Sequence, residues 1–546
     1  MLIRLEPVIL TLLIGFATAV PAEETAKRLA ILGDSERGIE PCALCHQANG
    51  GGSEAIGASR LAGMDARYLT RQIENFKNGH RPHSVMQPWA ERLTDAEIVA
   101  LSEYFAALPP ATNAKVPDGM DLKAGEWLAL DGDWSGRRLP ACGQCHGPGG
   151  IGVGQHFPAL AGQPYNYLVR QLAAWTTGER TGDPLGMMGA VNAKLSVAET
   201  QAVAAFYASL PVVKALDVTV ERQHGAVPPD ADDRHPLKSS IVPAPMAHTE
   251  PLVHQGKVPA GRAPGTAGHF EPPARGDKPD GEFGAVVALG EAIFRQTDRH
   301  AISGKYVGND QVCEGCHLDA GRLADASPMW AAWVAYPAYR DKDRQVSTIV
   351  ERIQGCFKYS MNAQASEAGH PPAAESRTIH ALASYLYWLA TGAPTGDKTM
   401  PGRGYPTLAE TEQGFDPTRG AEVYADNCAI CHGTDGEGGD AGDAMVFPPL
   451  WGARSYNWGA GMHMIDTAAA FIKTNMPLGN FLELTDQEAW DVAAFMNAHE
   501  RPQDPRFTGD VAGTAEQFHG SKFDYYGKRA GADGKMLGTL SPGSAQ

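Results

Sequence analysis

The chain has 546 residues, a formal net charge of −17, 62 Gly, 39 Pro and nine Cys. That length predicts about three to five domains, and the acidic excess argues against nucleic acid or an anionic lipid surface as partner. Eight of the nine cysteines lie in four Cys-x-x-Cys-His segments, and the ninth is Cys356.

Residues 1–22 carry Arg4, an apolar run, and small residues at Ala17, Ala19 and Ala22. The pattern predicts a secretory signal cleaved after Ala19 or Ala22, hence a periplasmic protein with no membrane span in the mature chain. The alternative is a membrane anchor, but the apolar run is shorter than the ~20 residues that cross a bilayer.

The four motifs are Cys42-Ala-Leu-Cys45-His46, Cys142-Gly-Gln-Cys145-His146, Cys313-Glu-Gly-Cys316-His317 and Cys428-Ala-Ile-Cys431-His432. Each predicts a c-type haem, with two thioethers to the porphyrin and the His as one axial iron ligand. Zinc would need a second ligand pair close by, whereas these pairs lie 100, 171 and 115 residues apart. A thioredoxin-like motif would not place His after every pair. Four covalently bound haem c groups make the chain an electron carrier.

The N-terminal part is a duplication. Arg60-Leu-Ala-Gly-Met-Asp-Ala-Arg-Tyr68-Leu-Thr-Arg-Gln72 matches Ala159-Leu-Ala-Gly-Gln-Pro-Tyr-Asn-Tyr167-Leu-Val-Arg-Gln171. Helical periodicity over 95–108 and 197–210 ends both times in Leu-Pro, where Pro cannot continue the helix. These are cytochrome c domains at 23–112 and 113–214, and the tandem resembles the dihaem cytochrome c4 family, including Gly79-His80-Arg81 and Gly178-Glu179-Arg180.

Residues 215–283 are rich in Pro, Ala, Gly and His and predict an extended linker. Its histidines are irregularly spaced, as solvated loop residues rather than a metal site. A third domain, 284–396, opens on a helix over 282–296 and closes on one over 380–389. A fourth, 397–510, is bracketed by helices over 416–427 and 486–499. Residues 511–546 are a polar, Gly-rich tail or surface strap. The expected fold is therefore mainly α: four class I cytochrome c-type domains in two tandem pairs joined by an extended linker.

Spacing predicts the distal ligands. Met86 is 40 residues past His46, Met188 is 42 past His146, and Met476 is 44 past His432. Met86 and Met188 each stand seven residues before a Leu, which favours Met188 over Met187. A thioether ligand raises the reduction potential, and the competing role for any one Met is core packing. Lys473 is a minor rival at the fourth site.

At the third haem the same spacing, 39 residues past His317, falls on Cys356. A thiolate lowers the iron potential and is also a nucleophile. The alternative is a buried free Cys with Met361 or Met329 as ligand. Thr348-Ile-Val-Glu351 is a capping box, so a helix starts there and runs towards Ser360. Arg352, Cys356 and Ser360 then share one face at i, i+4 and i+8, a plausible oxyanion site. Arg340, Lys342 and Arg344 add positive charge upstream, with a solvated surface as their competing role.

Three further stretches carry a second resemblance. Tyr306-Val-Gly-Asn309, Cys313-Glu-Gly-Cys-His-Leu-Asp-Ala-Gly321 and Arg352-Ile-Gln-Gly-Cys-Phe-Lys-Tyr-Ser-Met-Asn362 are similar to dihaem thiosulfate dehydrogenases. Phe447-Pro-Pro-Leu-Trp-Gly452, Ser455-Tyr-Asn-Trp-Gly-Ala-Gly-Met462 and Phe471-Ile-Lys-Thr-Asn-Met-Pro477 extend it across about 280–505. The resemblance implies His/Cys ligation at the third haem and oxidation of two thiosulfates to tetrathionate, reversible in some members. Onward transfer would run through the fourth haem to the c4-like half, and from there to a periplasmic or membrane-bound redox protein. The alternatives are a non-catalytic tetrahaem relay and another sulfur-compound enzyme with a Cys-ligated haem.

Overall fold

A computed structural model describes residues 22–212, 268–442, 444–480, 484–530 and 534–540. The predicted signal and most of the predicted linker lie outside the described residues. The described chain is mainly helical, with two small antiparallel hairpins.

Each Cys-x-x-Cys-His segment sits between an N-terminal and a C-terminal helix that pack together. The pairs are Ala22–Leu32 with Asp95–Ala107, Leu122–Leu130 with Val197–Ser209, Gly281–Arg295 with Arg377–Leu389, and Pro417–Asn427 with Asp486–Asn497. Close crossing explains three glycines. A Cβ at Gly125, Gly290 or Gly420 would collide with the carbonyl oxygen of Ala202, Ala381 or Asp491 on the partner helix. Three of the four closing helices begin with a capping box: Thr94 with Glu97, Ser196 with Glu199, and Thr485 with Glu488.

The first two domains are joined by a quasi-symmetric polar seam. Arg81 donates to Gln72, to Tyr167 at 2.9 Å and to Gln171 at 2.6 Å. Arg180 answers with bonds to Gln171 at 3.0 Å and Gln72 at 2.7 Å. Both arginines belong to the repeated Gly-x-Arg stretches of the sequence.

The two halves also dock on one another. Val153, Phe157 and Met187 of the second domain form one apolar cluster with Ala441 and Phe447 of the fourth. Arg138 donates to the Thr474 carbonyl at 2.9 Å, and Arg295 of the third domain pairs with Asp131 of the second at 2.6 Å.

Of the two readings of the C-terminal segment, the packing favours an anchored strap over a free tail. Residues Val511–Phe518 are helical, and His519, Asp524, Tyr526 and Leu537 are buried, with Tyr526 and Leu537 packed against Trp458. Aromatic and ionic anchors hold a stretch whose average polarity reads as a tail.

Candidate active site

The four predicted proximal histidines share one geometry. The Nδ1 of His46, His146, His317 and His432 bonds the carbonyl oxygens of Ser59, Pro158, Ser327 and Pro448, at 2.8, 2.8, 2.8 and 2.9 Å. A proton fixed on Nδ1 leaves Nε2 as a lone-pair donor for a metal. Burial lowers the pKa of all four, that of His317 to about 4, which keeps the rings neutral, the form that can bind a metal.

The surroundings fit haem c. A cavity of about 780 Å³ adjoins Cys42, Cys45 and His46, with Met86 in its wall. Met64 lines it too, but its sulfur already accepts from Gln163 at 3.5 Å. The guanidinium groups of Arg60, Arg81 and Arg180 also face this cavity, and the buried Nε atoms of Arg60 and Arg180 have no hydrogen-bond partner. Such cations suit propionate carboxylates. In the second domain Met187 is taken up by the interdomain apolar cluster, and the neighbouring Met188 is not. In the fourth domain Lys473 is turned to the Leu484 carbonyl and to Asp486 at 3.2 Å. Met476 packs in the domain core.

At the third motif one cavity is lined by Cys313, Cys316, His317 and Cys356, together with Ser360, Met329, Met361 and Met462. Cys356 rides on the helix Ile349–Tyr359, whose N-terminus carries the expected Thr348–Glu351 capping box. Two asparagines satisfy carbonyls at its far end. Asn309 donates to Ser360 O at 2.7 Å, and Asn457 of the fourth domain donates to Lys358 O at 3.0 Å. The two Asn-bearing motifs thus hold the Cys356 helix from both domains.

Arg352 Nη1 donates to Cys356 Sγ at 2.9 Å. The sulfur beside it raises the guanidinium pKa further, against the effect of burial. Arg340 pairs with Asp343 and lies against Gly355, where a Cβ would come within 3.6 Å of its Nη1. Lys342 sits 3.7 Å from the centroid of the Tyr359 ring and donates to the Gly459 carbonyl. Burial, then the charges of Arg506 and Arg352, push its pKa down to about 7. Arg344 stands apart, exposed in the turn between the strands Ala338–Arg340 and Gln345–Ser347, with φ of 53°.

Sequence reasoning missed three contributors. Met462 and Tyr456 reach the third-domain cavity from the fourth domain. Arg506, bonded to Asp504 at 3.0 and 2.6 Å, lies 5.4 Å from the Tyr359 ring centroid. Met462 stood at the end of a motif quoted for resemblance. Arg506 gave no local signal, because only tertiary packing brings it to Tyr359.

Four haem-motif domains, each built on crossed helices and a histidine primed through its Nδ1, define a multidomain c-type cytochrome. Residues 39–105 and 415–496 match the family of cytochrome c oxidase cbb3-type subunit III, residues 135–211 match cytochrome c, and residues 304–395 match the SoxA/TsdA cytochrome c domain. The chain belongs to the thiosulfate dehydrogenase family. It is 50% identical to the thiosulfate dehydrogenase of Stutzerimonas stutzeri over 281 residues, 51% of this chain and 88% of the relative. It is also 45% identical to the thiosulfate dehydrogenase electron acceptor of Thiomonas intermedia over 172 residues, 31% of this chain and 79% of the relative. The solved thiosulfate dehydrogenase TsdBA of Marichromatium purpuratum is 53% identical, with a TM-score of 0.83, covering 95% of this chain and 99% of that one. The chain is therefore a thiosulfate dehydrogenase that carries electron-acceptor domains on the same polypeptide.

Proposed function

We propose that the protein carries four covalent haem c groups and joins two thiosulfates into tetrathionate at the third Cys-x-x-Cys-His site. The observation that carries this reading is the 2.9 Å contact of Arg352 with Cys356 Sγ, in the cavity shared with Cys313, Cys316 and His317. Bound haem supplies one-electron acceptance. His46, His146, His317 and His432 would hold the haem irons through Nε2, and Met86, Met188, Cys356 and Met476 would supply the second protein ligands.

Arg352 holds the Cys356 thiolate and, with Lys342 and Arg340, attracts the thiosulfate dianion. Ser360 donates a hydrogen bond. The Cys356 sulfur and the terminal sulfur of one thiosulfate form an S–S bond with loss of two electrons. A second thiosulfate attacks that bond, releasing tetrathionate and regenerating the thiolate. No proton is consumed, so the pocket's cations serve to bind the anion and not to transfer protons.

The docked Phe157 and Phe447 bring the fourth and second sites together, so electrons pass from the third site through the fourth to the N-terminal pair. The relatives named as electron acceptors support that half's role. The predicted signal makes the protein periplasmic. Thiosulfate added to oxidised protein should reduce its haem α-band, and tetrathionate added to reduced protein tests the reverse direction. Intact mass giving fewer than four haems on matured protein would remove the scheme.

A further inference from the structure

The duplicated N-terminal domains allow one face to be compared in two settings. In the second domain the face beside Cys145 is covered: Met187 is 8% exposed and packs with Phe157 against Phe447 of the fourth domain. In the first domain the corresponding face is largely open, although Arg170 of the second domain reaches the Ile56 carbonyl at 2.7 Å. Val85, the residue before Met86 as Met187 is before Met188, is 42% exposed. Ile56 is 53% exposed and lines the cavity of the first motif with Val85, and Leu44, inside that motif, is 64% exposed. Ala58 stands where the second domain has Phe157, each residue preceding the carbonyl that accepts from the proximal histidine.

We propose that this open face of the first domain is the exit surface of the protein, docking a small, soluble class I cytochrome with a lysine-rich rim. The proposal rests on the reading that electrons reach the N-terminal pair. Three observations choose the occupant. The equivalent face of the second domain is already seated against a cytochrome domain in this same chain. The chain carries a net charge of −17, and at the first cavity the exposed Glu40 and Glu179 outnumber the exposed Arg170, the other arginines of the lining being buried or half-buried, so a basic rim is steered towards it. The substitutions of Ala58 for Phe157 and Val85 for Met187 reduce the apolar contact, which suits a carrier that must also leave.

The test uses the full-length holoprotein, reduced with thiosulfate and mixed in stopped flow with an oxidised basic class I cytochrome c. Leu44→Gln with Ile56→Gln should lower the second-order rate constant about fivefold or more, in protein whose intact mass shows the same haem content as the wild type. Val197→Gln, at a still more exposed residue on the closing helix of the second domain, should leave the rate unchanged. A double variant with the wild-type rate, or a Val197 variant slowed as much, would overturn the proposal and leave a second copy or residues 213–267 as occupant. Failure of thiosulfate to reduce the first-domain haem at all would overturn the underlying route as well.

Discussion

The rings of Phe157 and Phe447 meet with centroids 4.8 Å apart and planes tilted by 46°. Each precedes a proline, Pro158 or Pro448, whose carbonyl accepts from the proximal histidine of its own domain. The two rings lie 6.4 and 6.5 Å from His146 and His432. The contact therefore joins the second and fourth sites through matching Phe-Pro pairs. The first and third domains carry Ala58-Ser59 and Ala326-Ser327 at the same place, and among the described residues they make no such contact.

Phe447→Ala should therefore uncouple the halves. Truncating a central interface aromatic costs about 2 kcal/mol or more, roughly 30-fold in the docking equilibrium. Thiosulfate oxidation with an artificial acceptor should keep its wild-type rate, while reduction of the N-terminal haems slows. Equal slowing of both would show that Phe447 supports the active site rather than the junction.

Arg352→Ala removes a charge-assisted bond to the Cys356 sulfur and a cation facing the substrate. The expected loss is about 1.5–3 kcal/mol, or about 10- to 150-fold in kcat/KM. Cys356→Gly should abolish turnover and remove thiolate-type low-spin EPR signals. Wild-type protein with only His/Met-type signals would return the ligand role to Met361 or Met329, which line the same cavity.

Substrate affinity should weaken as pH rises through neutrality. Thiosulfate stays a dianion there, whereas Lys342, with a pKa of about 7, loses its charge. Arg506, Arg352 and Arg340 face Lys342 and keep their charges, and Asp504 opposes them, so Lys342 is the titrating member. KM should rise between about pH 6 and 8, with kcat little changed. Lys342→Met should have a high, flat KM, and a persisting pH dependence in that variant would assign it elsewhere.

The C-terminal segment should loosen at alkaline pH. Both nitrogens of His519 face carboxylates, Asp524 at 2.7 Å and Asp504 at 3.1 Å, and His463 and Arg506 complete the cluster. Burial disfavours the imidazolium, but the two carboxylates outweigh it and raise the His519 pKa. A raised folded pKa gives stability that is fully present below the unfolded value near 6.5 and is lost as pH rises through the folded one. Asp504 and Asp524 are held low by the same partners despite burial, so their contribution persists until strongly acidic pH. Hydrogen exchange over 511–530 should accelerate above neutrality. His519→Ala should cost about 3–5 kcal/mol locally, as for any broken buried pair, and abolish that pH dependence.

Local rules made much of this molecule legible. The capping box at Thr348 and the i, i+4 spacing of Arg352 and Cys356 placed the sulfur and its guanidinium on one helix face, where the structure has them. Helix limits such as 416–427 fell within a residue or so of those observed, because Asp416 caps and periodicity continues to Asn427. Charge proximity in sequence did not distinguish Arg344, exposed in the hairpin turn, from the half-buried Lys342 and Arg340. Nothing local marked Arg506, and Met462 stood only at the end of a motif carrying the resemblance; the roles of both depend on how the fourth domain packs on the third. Composition likewise hid the buried His519 cluster, since a few anchored residues among glycines leave the average polar.

The last prediction concerns why acceptor and enzyme share one chain. Arg295 with Asp131, Arg138 with the Thr474 carbonyl and the Phe157–Phe447 contact seat the two halves together. A covalent link turns each delivery of an electron into an intramolecular event at high effective concentration. In stopped-flow mixing with saturating thiosulfate, the N-terminal haems should therefore reduce at a rate independent of protein concentration. Deleting 23–214 should leave thiosulfate oxidation with an artificial acceptor, since Cys356, Arg352, Arg340 and Lys342 all remain. Adding 23–214 back as a separate protein should restore transfer only in proportion to its concentration, with saturation set by the docking contacts. Charge reversal by Asp131→Arg should raise the concentration needed, because it opposes Arg295 and Arg275 across the junction. If reduction of the N-terminal haems in the full chain scales with protein concentration, electrons cross between molecules, and the docked arrangement is not the path they take.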